Sequence, residues 1–347
     1  MLIALAASFA LQPALAADRA PGAIVEDATG RKVQMPPADK IRKIYPAGPP
    51  AAVLLFTLCP EKLVGFPLAM SAEARELLPP AYRNLPKTGK LSGRGITASI
   101  EEVLKAGTDA VVDVGTLKGA NHQLAKETAD KTGLPTLLLD GMLEALPATY
   151  RTLGRALDAS ERAEKLAVYI EKTLADTKAG LAKVPAEKRP RVYYGRGPKG
   201  LETCTAGSIS FEAFDRAGVV NVAAAAGPHS ALVPASAEDL VAWNPADIFT
   251  IEPNAGEYLK GEATFHGLDA VKAGRVYAAP RVPFGWVDYP PAVNQLLGLM
   301  WVERLLYPGV FPDDLRARVA EFHRLFYQQP LTDGQLDALL KGLALGK

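Results

Sequence analysis

Ala98-Ser99-Ile100-Glu101-Glu102-Val103-Leu104 runs into Asp109-Ala110-Val111-Val112. In the second half of the chain, Ala235-Ser236-Ala237-Glu238-Asp239-Leu240-Val241 runs into Ala246-Asp247-Ile248-Phe249. The two copies align without a gap, and each reads as a helix feeding a strand. Two further patterns recur around them. A short strand enters a Gly/Pro loop at Arg42-Lys43-Ile44-Tyr45-Pro46-Ala47-Gly48-Pro49 and again at Arg191-Val192-Tyr193-Tyr194-Gly195-Arg196-Gly197-Pro198. A late strand follows at Gly133-Leu134-Pro135-Thr136-Leu137-Leu138-Leu139 and at Gly274-Arg275-Val276-Tyr277-Ala278-Ala279. Strands and helices therefore alternate in one order in each half. The chain is predicted to form two α/β lobes with largely parallel sheets, a duplicated lobe rather than a solenoid.

A helix joins the halves. Asp158-Ala159-Ser160-Glu161 reads as a D-x-x-E capping box, and Ala163, Leu166, Ala167, Ile170 and Leu174 mark one apolar face. The pattern runs to Lys183 and stops before Pro185, a length of roughly 37 Å at 1.5 Å per residue. Gly180 is its one soft point, so the helix is expected to be a stiff hinge that allows only slight closure of the lobes. Helices are also predicted over Pro291–Leu306 and Asp313–Phe326. These boundaries give an amino-terminal lobe over 17–157, a hinge over 158–184 and a carboxy-terminal lobe over 185–347.

Residues 2–16 are uncharged and end in Ala14-Leu15-Ala16, a small-x-small cleavage pattern. This predicts a secretory signal peptide removed near Ala16, without the usual basic start, and places the mature protein in a periplasm. The 347-residue length fits about two domains of ~150 residues. A net charge of +1 offers no electrostatic case for nucleic acid or an acidic membrane as partner. The 30 glycines and 28 prolines stay below the ~25–30% share that signals disorder. Cys59 and Cys204 match no metal spacing and cannot form a disulfide framework, which leaves their redox state open.

Gly195-Arg196-Gly197-Pro198-Lys199-Gly200 matches G-x-G-x-x-G after a strand, but a dinucleotide site needs a helix to open there. Leu201-Glu202-Thr203-Cys204 starts a helix poorly, and helical character resumes only near Ser208. The segment therefore reads as a loop at a cleft mouth. Its glycines would admit a ligand close to backbone, and Arg196 and Glu202 would supply charge. Gly93-Arg94-Gly95 presents a second guanidinium. Arg281-Val282-Pro283-Phe284-Gly285-Trp286-Val287-Asp288-Tyr289-Pro290-Pro291 follows the last strand of lobe two, at the edge where open α/β sheets bind ligands. From it Arg281, Trp286 and Tyr289 are candidate contacts; the alternative is that Trp286 and Phe284 simply cover the core. Tyr45 points to the same edge if its strand register is right. Among four histidines, His229 in Gly227-Pro228-His229-Ser230 is the best ligand candidate, followed by His122. No H-E-x-x-H, Walker loop or G-x-S-x-G elbow is present, which counts weakly against an enzyme.

Taken in order, these stretches resemble the substrate-binding proteins of ABC importers for iron–siderophore complexes and cobalamin. The likeness covers about residues 24–330. The stretches Arg196–Thr203 and Pro283–Pro291 bring it closest to the iron-complex branch. The resemblance implies two lobes about a cleft, slight closure about one helix, action as a monomer and delivery to an inner-membrane ABC permease. It also implies that one Glu per lobe docks to the permease, at the positions of Glu101 and Glu238. One departure is Gly107-Thr108, where the family usually has Lys-Pro; lobe two keeps Asn244-Pro245.

The candidate loops offer Arg, Tyr and Trp rather than converging His and carboxylates. That set suits a metal already wrapped in an anionic organic chelator, with a ferric siderophore first. No resident cofactor or bound metal is expected. Cobalamin, haem, a nickel chelate or an oxyanion remain open as cargo. The competing classes are an exported two-domain enzyme and a purely structural periplasmic partner.

Overall fold

The computed structural model describes residues 22–115 and 120–343. The predicted signal peptide lies outside them. Lobe one opens with an antiparallel hairpin of β1 (Ile24–Glu26) and β2 (Lys32–Gln34). Next come β3 (Ile44–Pro46), α1 (Pro49–Leu58), α2 (Ala72–Glu76), α3 (Ile100–Lys105) and β4 (Ala110–Gly115). The lobe ends with α4 (Ala120–Thr132), β5 (Thr136–Asp140) and α5 (Leu146–Leu157). Strands β3, β4 and β5 form a parallel sheet in that order. Ala110 to Val114 of β4 are buried in succession, as expected of a parallel strand covered on both faces. Helix α1 is buried from Ala51 to Leu58; its two leading prolines need no backbone partner in a first turn.

The hinge is α6 (Ser160–Leu181), and it packs on α5. Its start corrects the capping-box reading. Asp158 takes a left-handed conformation, φ +58°, to end α5, so α6 begins after Ala159 with no side-chain cap. Gly180 is not a soft point either. The helix continues through it, and a Cβ there would lie 2.4 Å from the Phe311 ring, so the glycine admits a close approach. Arg162 on α6 donates to the carbonyls of Thr57, Leu325 and Phe326, at the carboxyl ends of two other helices. A cation there also complements both helix dipoles.

Lobe two contains β6 (Arg191–Gly195), β7 (Glu202–Cys204), α7 (Glu212–Arg216), β8 (Val220–Asn221), β9 (Leu232–Pro234) and α8 (Ala237–Trp243). It continues through β10 (Asp247–Thr250), α9 (Pro253–Gly261), α10 (Asp269–Lys272) and β11 (Val276–Ala278). Its main sheet is parallel in the order β11-β10-β6-β8, and β7 and β9 form a separate antiparallel ribbon. The chain closes with α11 (Gln295–Leu306), α12 (Leu315–Phe326) and α13 (Asp333–Leu340). The last of these has no counterpart among the predicted helices.

The internal repeat is real at the level of single residues. Ser99 caps α3 in a capping box with Glu102, and Ser236 caps α8 in one with Asp239. Glu101 and Glu238 are both exposed at the second helical position. Both helices exit through a left-handed residue, Gly107 at φ +64° and Asn244 at φ +37°. The Gly107-Thr108 departure therefore keeps the same turn, because glycine supplies that conformation as readily as asparagine.

One hydrophobic cluster runs through both lobes. At its centre Phe284 of lobe two packs against Phe56 and Phe66 of lobe one, with ring centroids 5.9 and 6.0 Å apart. Tyr327 closes the group at 5.5 Å from Phe284 and 6.1 Å from Phe56. At another contact, both carboxylate oxygens of Glu212 accept from the Leu143 N–H at 3.0 Å, and Arg216 pairs with Glu144. The lobes are thus held by the hinge helix, an aromatic contact and a polar contact.

Candidate functional site

The segment after β6 forms a turn rather than a nucleotide loop. Gly197 and Gly200 take φ +76° and +68°, and the chain comes straight back as β7. Arg196 and Glu202 exchange backbone hydrogen bonds of 2.7 and 3.1 Å across it. The glycines serve this turn. A Cβ at Gly195 would lie 2.7 Å from the Gly200 carbonyl oxygen, so the close approach is to the loop's own backbone and not to a ligand.

The turn carries two charged side chains, and one of them reaches the other lobe. Glu202 accepts from Arg196 Nη1 at 2.8 Å through Oε1, and from Arg94 Nη1 at 2.9 Å through Oε2. Arg94 belongs to lobe one, between Gly93 and Gly95 at φ +80° and +70°. One carboxylate therefore bridges two guanidinium groups on opposite lobes. Arg196 is nearly enclosed, with 7% of its side chain exposed, against 68% for Arg94.

A second carboxylate stands behind Arg196. Asp288 Oδ2 lies 3.0 Å from Arg196 Nε, an ion pair outside hydrogen-bond alignment, and accepts from the Tyr194 hydroxyl at 3.1 Å. Its Oδ1 accepts from the Tyr289 N–H at 2.8 Å. Burial pushes the Asp288 carboxyl upward, while Arg196 and these donors act to keep it ionised. Arg196 also lies 4.9 Å from the centroid of the Tyr289 ring, within cation–π range. Tyr289 holds φ +60°, an uncommon and strained conformation for a bulky residue. The amino end of α11 fixes this loop: Asn294 donates to the carbonyls of Gly285 and Pro290, and Gln295 to that of Val287.

Tyr289 also lines a cavity of about 790 Å³ and so connects it to Arg196, although neither arginine of the pair lines it. Its walls include Pro49 and Phe66 from lobe one, Pro280, Arg281 and Phe284 from lobe two, and Leu339 of α13. This size is in the range of small-molecule pockets, roughly 300–1,000 Å³.

The structure thus brings together Arg94, Arg196, Glu202 and Tyr289, with exposed Arg281 on the adjoining cavity. It does not bring in Trp286, which is fully buried in the core; a Cβ at Gly298 would lie 2.4 Å from its carbonyl oxygen, so α11 presses directly against it. Tyr45 is likewise corrected. Strand alternation turns it to the α3 face of its sheet, among Leu91, Val103 and Val111, where its hydroxyl donates to the Thr88 carbonyl. His229 lies beyond the other end of the β7–β9 ribbon, bonded to Ser230 through Nδ1 at 2.9 Å. It is five residues from Pro234, the partner of Glu202, or up to roughly 17 Å along the strand direction at ~3.4 Å per residue. His122 is exposed on α4, in lobe one. Asp288 and Tyr194 were not expected. An Asp inside Trp-Val-Asp-Tyr was the available signal, because a carboxylate in an apolar run must find a cation.

Two α/β lobes joined by one long helix, with charged side chains meeting between them, define a solute-binding protein of the ABC-importer class. Residues 64–283, more than half of the chain, match the family model described as periplasmic binding protein, and the chain belongs to that family. Its fold is similar to an ABC transporter solute-binding protein from Sulfurospirillum deleyianum. The two are 26% identical over 91% of this chain and 98% of that one, with a TM-score of 0.82. The molybdate periplasmic binding protein MolA of Haemophilus influenzae, solved with molybdate, is 22% identical over 89% and 99% of the two chains, with a TM-score of 0.70. Helicobacter pylori CeuE with Ni(II) bound is 18% identical over 90% and 98%, with a TM-score of 0.69. A sequence search of curated proteins returns no match. The protein is therefore a periplasmic binding protein that hands a small ligand to a membrane permease. Family and structural relatives are solute-binding proteins rather than enzymes. Among the described residues, no helix is long and apolar enough to cross a membrane.

Proposed function

We propose that the ligand is an anionic metal chelate, a ferric siderophore foremost, captured between the lobes and delivered to an ABC permease. The observation that carries this is the convergence of Arg94 and Arg196, from opposite lobes, on a single carboxylate, with Arg196 over the ring of Tyr289, which lines a largely apolar cavity. Two guanidinium groups suit carboxylate, catecholate or hydroxamate oxygens, and Arg281 and Tyr289 extend that surface. The apolar wall would take the organic frame of a chelator. A bare metal is a poorer fit, because among the described residues no three His, Cys, Asp or Glu side chains are grouped to hold one. A small oxyanion is the second reading, supported by the same arginine pair and by the molybdate bound to the Haemophilus relative.

Glu101 and Glu238 are the proposed permease-docking residues. Both are exposed in first helical turns at matching positions of the two lobes. The Glu101 backbone N–H at the head of α3, and after it the Ser99 side chain, hold the Glu101 carboxyl below its ordinary range, so it meets a partner charged. Reversing both charges should abolish uptake while leaving ligand affinity and melting temperature unchanged. Normal uptake by the folded double variant would remove them from the docking surface. For the ligand itself, native mass spectrometry of protein purified from its own cell extract, paired with a visible spectrum, should show a bound iron chelate. A bound tetrahedral oxyanion with no visible band would favour the second reading.

A further inference from the structure

Arg196 is held by two carboxylates in different surroundings. Asp288 is wholly buried and further fixed by Tyr194 and the Tyr289 N–H. Glu202 leaves about a third of its side chain exposed and has only the two arginines as partners. Its backbone is pinned, by the paired bonds to Arg196 and by the register with Pro234. Its side chain is not, so a rotamer change releases Arg94 and Arg196 Nη1 without moving β7. Asp288 would then still hold Arg196 through Nε, keeping Nη1 oriented for a new partner. The four charges, two guanidinium and two carboxylate, sum to zero as they stand.

We propose, building on the chelate reading above, that Glu202 is a built-in competitor for the ligand. Its carboxylate ties the lobes together through Arg94 and Arg196, and it must turn away before a ligand can engage both. The chemical consequence is selection by charge. A neutral chelate cannot replace the carboxylate without leaving two guanidinium groups unpaired. A monoanion exchanges one carboxylate for another with little gain. A chelate with several anionic oxygens spans both arginines, so it exchanges with net gain. Glu202 on this account is a specificity-determining residue that touches the ligand's partners rather than the ligand.

Glu202→Gln tests this, because the amide offers one acceptor where the carboxylate offered two, and its NH2 group faces a cation. Spin labels at Lys105→Cys and Lys272→Cys, exposed and on opposite lobes, report the lobe separation, while Cys59 and Cys204 are buried. With no chelate added, Glu202→Gln and Arg94→Ala should each broaden or lengthen the distance distribution, and the double change should add nothing further. In titrations, Glu202→Gln should bind ferric citrate at least ~10-fold more tightly than the wild type, a gain of about 1.4 kcal/mol, and should leave binding of a neutral ferric trihydroxamate unchanged. An unaltered distance distribution together with equal ferric citrate affinities overturns the proposal while leaving the chelate reading standing. If neither protein binds ferric citrate or any other anionic ferric chelate of a panel, the reading of the ligand falls, and the label distances alone decide whether Glu202 ties the lobes.

Discussion

Replacing Arg196 by methionine should destabilise the protein far more than a surface charge would. Asp288 is 1% exposed, and Arg196 is the only cation within ion-pair distance among the described residues. Methionine keeps most of the volume but leaves the carboxylate buried without its counter-charge, with the neutral donors Tyr194, Ser210 and the Tyr289 N–H to satisfy it. Breaking a buried pair from one side costs about 3–5 kcal/mol, whereas exposed pairs are worth ~0–1 kcal/mol. The Arg94–Glu202 contact is of the exposed kind, so Arg94→Ala should fall below ~1 kcal/mol. Urea unfolding followed by far-UV circular dichroism reads both, and the core shared by the lobes favours a single transition. Adding Asp288→Asn to Arg196→Met should recover most of the loss, since a neutral amide needs no cation. A loss under ~1 kcal/mol for Arg196→Met, or no recovery in the double variant, would refute the claim that Asp288 is a buried charge held by Arg196.

Phe284→Ala should cost about 3–5 kcal/mol and leave the lobes less firmly joined. Faster hydrogen exchange in both α1 and the 283–290 loop would show this, and exchange confined to lobe two would argue against a shared aromatic contact. Stability should fall as pH rises from 5.5 to 7.5. Burial raises Glu212 and Glu303 to about 7 and Asp113 to about 6, so the folded state holds these protons more tightly than the unfolded chain. Their stabilising effect is complete below the unfolded carboxylate values and is lost through pH 6–7. His323, lowered to about 3 by burial, works in the opposite sense but only below its unfolded value near 6.5. A higher melting temperature at pH 7.5 than at 5.5 would contradict this ordering.

The two-lobe architecture was legible because the duplication preserved spacing residue by residue: Ser99 with Ser236, Glu101 with Glu238, Gly107 with Asn244. Such local signals survive without knowledge of what packs where. Arg94 and Arg196 could be picked out because flanking glycines mark turns that present a side chain, although nothing local showed that they would share one carboxylate. Trp286 and Tyr45 were misplaced for a related reason. A tryptophan between prolines reads as an exposed rim until α11 is laid against it, and a strand tyrosine faces either side depending on a one-residue register. Asp158 obeyed the demand of the helix ending there rather than the one beginning. The role of Phe284 and Tyr327 in joining the lobes depends on contacts between segments far apart in sequence, which no periodicity encodes.

The most direct test of the ligand assignment is an equilibrium titration of wild-type protein and Arg94→Ala with a panel of ferric siderophores. Arg94 is exposed enough that its loss should leave folding intact. The wild type should bind at least one anionic chelate with a dissociation constant below about 1 μM, or −8.2 kcal/mol, and Arg94→Ala should bind it at least ~10-fold more weakly at an unchanged melting temperature. Equal affinity in the two proteins for every chelate bound would place the ligand somewhere other than between Arg94 and Arg196.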